Sequence, residues 1–167
     1  MGKSFENTFR SMQYLNYCTV YYDFDFDKEQ IKQFNANAME YNHTVFDNAE
    51  SFFAEEKRLS SKYGFDFQKA VKEMPMRAKL KIIGIKQNSK NTAYKLKECH
   101  DAIEMCLVLF IHELTTSWGK NTDDIKLYWQ KMKEYSMNYA NGMTDAFVQQ
   151  YFIDQIDLAI TDNIKEV

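Results

Sequence analysis

Apolar residues recur along this chain at steps of three and four, the spacing that gathers side chains on one face of an α-helix. From Ser4 to Tyr22 the rhythm runs through Phe5, Phe9, Met12, Leu15 and Thr19, with Ser4 placed to cap the first helix. The next run is the clearest: Ile31, Phe34, Ala38, Tyr41, Val45, Ala49, Phe52, Glu56 and Leu59. Asp27 with Gln30 has the form of a capping box, and Gly64 suits the left-handed residue that ends a helix. One helix over 28–63 is predicted. It would be roughly 50 Å long, a length typical of bundles.

Asp66 caps a third segment, which Pro75 interrupts because proline lacks an N–H and clashes with the preceding turn. The stretch Lys79 to Lys86 (KLKIIGIK) alternates enough for a strand, yet a lone strand finds no partner elsewhere, so helix is expected. Asn88 to Asn91 reads as a loop. A fourth helix follows from about Thr92 to Trp118, with Gly119 as its stop. Its centre is apolar nearly all round, through Ile103, Cys106, Leu107, Val108, Leu109, Phe110, Ile111 and Leu114, so it belongs in the middle of the fold. Asn121 with Asp124 caps a fifth helix, striped by Ile125, Tyr128, Met132, Tyr135, Tyr139 and Met143. Beyond Gly142 a last helix lines up Val148, Phe152, Ile156 and Ala159. The expected fold is all-α: a single-domain helical bundle over 1–167, of five or six helices, with a long second helix and a central apolar fourth helix.

Composition agrees with this reading. A chain of 167 residues, 45% apolar, can bury a core without a metal or disulfide staple. Thirteen Phe and 11 Tyr argue for packing and against disorder, and one Pro with five Gly is too few for a turn-rich β fold. Cys18, Cys99 and Cys106 match no zinc or redox spacing. Cys99 and Cys106 would lie about 10 Å apart along a helix, too far to bridge. Reduced thiols imply a cytoplasmic location. No apolar run follows Lys3, so no signal peptide is expected. The most apolar stretch, Ala102 to Leu114, is about half a bilayer-crossing length and holds Glu104, His112 and Glu113, so no membrane span is expected.

Charge is uneven. From Lys57 to Lys97 there are 12 basic and 2 acidic residues, a net of +10, while the remainder has 9 basic and 22 acidic, a net of −13. The basic segment either lies against the chain's own acids or attracts a polyanion such as nucleic acid, through Lys72, Arg77, Lys79, Lys81, Lys86 and Lys90. An overall charge of −3 and the missing zinc-finger and RNP patterns favour internal compensation.

Two same-face pairs could ligate a metal: Glu40 with His43, and His100 with Glu104. If their helices neighbour each other, two His and two carboxylates suit a divalent transition metal such as Zn, Mn or Fe. Di-iron bundles use Glu-x-x-His twice, with two further Glu; here the element occurs once. Asp23 to Asp27 begins like an EF-hand loop, but Lys28 stands where Gly is needed and Phe34 where Glu is needed. The segment therefore reads as an extended linker, with Phe24 and Phe26 inward and the Asp residues outward.

No nucleophile elbow, P-loop, dinucleotide fingerprint or H-E-x-x-H is found. Cys99 and His100 are adjacent, so on a helix they point about 100° apart and cannot act as a nucleophile–base pair. Tyr14, Tyr17, Tyr21, Tyr22, Tyr128, Trp129, Tyr135 and Tyr139 either line the bundle or anchor an interface. The expected function is thus non-enzymatic, a cytoplasmic helical protein acting by protein–protein interaction with a partner or with itself as a homo-oligomer. The alternatives are nucleic-acid or polyanion binding through 57–97, and a metal-dependent bundle enzyme on Glu40, His43, His100 and Glu104. No cofactor is expected beyond that metal.

Overall fold

Side-chain caps and glycine stops set several of the helix ends. The computed structural model describes residues 2–45, 48–84 and 90–142. These form α1 (Lys3–Asp23), α2 (Lys28–Val45), α3 (Ala49–Tyr63), α4 (Phe67–Glu73), α5 (Met76–Ile82), α6 (Thr92–Thr116) and α7 (Thr122–Ala140), with no strand among the described residues. Asp27 and Gln30 exchange backbone N–H to side-chain bonds of 2.9 and 2.8 Å. Asn121 and Asp124 do the same at 2.9 and 3.0 Å, and Asp66 accepts from the Lys69 N–H at 2.9 Å. Each bond satisfies a backbone donor that a helix start leaves without a partner. Gly119, at φ 62°, lets the Lys120 N–H return to the Leu114 carbonyl at 3.0 Å, closing α6.

Three expectations are corrected. The predicted 28–63 helix is two helices, because Asn48 takes an extended backbone (φ −147°, ψ 117°) and its side chain accepts the Glu50 N–H at 2.9 Å. An Asn that can bond its own backbone competes with helix continuation, and the apolar rhythm does not register that. The all-α class is as expected, but the described residues alone carry seven helices rather than five or six. The first helix starts at Lys3 with Gly2 as its cap, and Ser4 lies inside it, buried. Met74 is extended (ψ 128°) before Pro75, so the segment after Pro75 restarts as α5. Ile85, Lys86, Asn88, Ser89, Met143 and the expected last helix (Val148, Phe152, Ile156, Ala159) lie outside the described residues.

The apolar fourth helix of the sequence is α6. It packs along α1 and also touches α2, α3, α4 and α5. Every residue from Cys106 to Ile111 is buried, so all of its faces are covered. Each such Leu or Ile contributes about 1.5–3 kcal/mol. Phe34 of α2 sits between Phe26 (6.3 Å) and Phe110 of α6 (6.0 Å), and Phe26 meets Trp118 at 4.7 Å. Glu113 of α6, 3% exposed, accepts from Asn37 Nδ2 (2.7 Å), Trp118 Nε1 (3.1 Å) and Ser117 Oγ (3.0 Å), pinning α2 to α6.

α1 is more buried than its stripe implies: residues 11–20 are all inside, Ser11, Gln13, Asn16 and Thr19 included. The Tyr128 hydroxyl of α7 donates to Asn16 Oδ1 at 2.6 Å, and Thr19 Oγ1 donates to the Leu15 carbonyl at 2.8 Å. Of the aromatic residues considered for an interface, Tyr14, Tyr17, Tyr128, Trp129 and Tyr139 are buried, and Tyr22 is exposed. Cys18, Cys99 and Cys106 are buried free thiols; burial pushes Cys18 up to about 12 and Cys106 well above its ordinary value. Among the described residues no helix is long and apolar enough to cross a membrane.

Candidate functional site

α3 is the loosely seated helix, with Leu59 its one fully buried residue. Its inner face carries Phe52, Glu55, Glu56 and Leu59, spaced by threes and fours, against α6. Where the start of α3 meets α6 and the start of α1, a groove of about 300 Å³ opens. Phe5 of α1, Ala49, Phe52 and Phe53 of α3, and Met105 of α6 line it, with Asp101 and Glu104 of α6 at its edge. Phe53 is 61% exposed, an unusual position for a phenylalanine that has a packed core nearby.

Beside the groove, Glu56 of α3 meets Glu104 of α6. Burial pushes the Glu56 carboxyl up to about 7, helped by its hydrogen bond with Glu104 and by the like charges of Glu104 and Asp66. No N–H or hydroxyl donor reaches the buried Glu56 Oε2. Once protonated, Glu56 can donate to the Glu104 carboxylate. Gln68 Nε2 of α4 donates to Glu104 Oε1 at 2.5 Å.

About two turns further along α6, His112 Nδ1 lies 2.8 Å from Glu55 Oε1, and Tyr41 of α2 stacks on the imidazole with ring centroids 3.6 Å apart and planes 3° from parallel. Arg58 grips the same carboxylate through Nε (2.8 Å) and a terminal nitrogen (2.6 Å). Burial opposes the charged form of Glu55, but the bonds from Arg58 and His112 outweigh it and hold the carboxyl below its usual range.

The residues singled out from sequence have separate fates. Glu40 and His43 occupy exposed positions on α2. His100 pairs with Lys79, Nε2 to Nζ 3.1 Å, and Glu104 with Gln68 and Glu56. The four are not gathered, and among the described residues no group of three or more His, Cys, Asp or Glu is placed to hold a metal ion. Lys72, Arg77, Lys81 and Lys90 are exposed, but Lys79 is 2% exposed and leaves that surface; Lys86 lies outside the described residues. Burial pushes the Lys79 ammonium down, and burial together with Lys79 pushes His100 down. An ammonium donating to Nε2 requires a neutral His100 with its proton on Nδ1.

A second depression, about 380 Å³, lies between the start of α4 and α7, over Trp129. Its one glutamate is already held: Glu73 accepts from Trp129 Nε1 (3.1 Å) and Lys133 (3.3 Å) and lies 3.7 Å from Lys69. The sequence did carry one sign of the acidic pair, a Glu at position 56 where the helical rhythm calls for an apolar residue. It carried no sign of the Glu55–His112 contact. Comparison with protein-family models, with curated proteins and with solved structures gives no match, so the reading of these sites rests on their geometry.

Proposed function

We propose that the chain works by binding another polypeptide, and that the groove between α1, α3 and α6 is where it docks. The observation that carries this is Phe53, 61% exposed on the wall of a groove otherwise lined by Phe5, Phe52 and Met105. An apolar groove between helices accepts the apolar face of an amphipathic helix, with anchors spaced by three and four. Asp101 and Glu104 at the edge favour a ligand with lysine or arginine beside those anchors. A labelled synthetic amphipathic helix with Leu anchors and Lys flanks tests the proposal by fluorescence anisotropy. Binding should weaken about tenfold or more in Phe53→Asp, and a Glu-flanked control should bind less. No binding of either peptide at concentrations up to about 1 mM sinks the proposal.

Polyanion binding is a second reading, favoured by Lys72, Arg77, Lys81 and Lys90, which are exposed and form no ion pair with a described acid. It predicts binding to heparin or an oligonucleotide that falls steeply with added salt. Retention that does not change with salt removes it.

A further inference from the structure

We infer that the occupant of the groove is a second copy of this chain, entering with the outward face of α5. This rests on the docking reading and names its partner. The groove asks for apolar anchors one helical turn apart, with cations alongside. α5 supplies one exposed apolar anchor, Met76, with cations on the same surface. Ala78, Lys79 and Ile82 are buried and Leu80 is partly buried against the core, which leaves Met76, Arg77 and Lys81 facing outward. Met76 is 50% exposed, Leu80 is half-buried, and Arg77 and Lys81 are exposed. Pro75 separates α5 from α4, and α5 packs on α1 and α7 with its other side. A polyanion would have no use for the exposed Met76; a groove walled by Phe53 and Met105 does.

Charge complementarity points the same way. α5 lies in the segment of net +10, and the rest of the chain is net −13. A guanidinium brought to the groove edge meets Asp101 and Glu104, which line it, and can donate to their carboxylates. The groove and α5 are different surfaces, so the contact is head-to-tail. Such contacts build open chains, or a ring where the rotation closes. With one short helix as the insert, the dissociation constant should be on the order of 100 µM.

Light scattering and sedimentation velocity on the full chain, from about 10 to 500 µM, test this. The average mass should rise with concentration, and the rise should shrink between about 50 and 500 mM salt. Phe53→Asp and Met76→Glu should each be monomeric. Mixed in equal amounts they should form a dimer and nothing larger, because each pair keeps one intact groove and one intact α5. A chain monomeric throughout overturns the inference, as does growth that neither substitution reduces or a mixture that stays monomeric. If the chain stays monomeric while Phe53-dependent binding of the Lys-flanked peptide persists, the second copy is wrong and the docking groove stands. If the peptide also fails to bind, both fall.

Discussion

The carboxyl groups of Glu56 on α3 and Glu104 on α6 share a hydrogen bond, with the charge of Asp66 close by. Burial and the neighbouring negative charges favour the protonated Glu56 carboxyl, so its contribution to holding α3 on α6 should depend on pH. The Glu56 carboxyl is raised to about 7 in the fold, above its ordinary 4.5. Its contribution to stability is therefore fully present below about pH 4.5 and is lost as pH rises through 7.

Glu56→Gln keeps the shape and removes the titration. The variant should lose less stability than the native chain between about pH 5.5 and 8.5, and be the more stable of the two at the upper end. Urea midpoints at both pH values check this; parallel pH profiles for the two proteins would show that the pair does not control α3.

Lys79 and His100 couple with the opposite sign. His100 is held below its ordinary 6.5, so the stability it allows is present above pH 6.5 and is lost as pH falls through its lowered value. Lys79→Met removes the buried ammonium and keeps most of the side-chain length. Its stability at pH 7 should be unchanged or higher by up to about 3 kcal/mol. The His100 midpoint, followed by NMR titration, should move up toward 6.5. A midpoint that does not move would break the link.

Glu113→Ala removes a buried carboxylate and leaves the half-buried Asn37 Nδ2 and Trp118 Nε1 and the exposed Ser117 Oγ without their acceptor. The expected cost is about 2–4 kcal/mol, readable in denaturant unfolding. A loss below about 0.5 kcal/mol would mean that α2 is not held by this carboxylate.

Phe53→Asp should change folding stability by less than about 0.5 kcal/mol, since the side chain is mostly in water. Asn121→Ala, which removes the reciprocal cap of α7, should cost about 1 kcal/mol. Thermal unfolding of the two side by side separates an exposed anchor from a structural cap. A large loss in Phe53→Asp would place that ring in the core instead.

Most helix ends were readable because their causes lie within a few residues of one another. Asp27 reaches Gln30, Asp66 reaches the Lys69 N–H, Asn121 reaches Asp124, and Gly64 and Gly119 adopt the backbone that ends a turn. The helical period also marked α6 as buried on every side. It misjudged Asn48, where a local bond to Glu50 outweighed the rhythm. It also placed Lys79 on the basic surface, although the side chain turns into the core and meets His100. Nor could it see that Asn16 would be covered by Tyr128, or that His112 would find Glu55 across 57 residues of chain. A repeat of three and four tells which face of a helix shuns water, because that depends on one helix alone. Which neighbour covers that face, and which acids and bases are carried in with it, depends on how all seven described helices pack, and only the folded arrangement sets those distances.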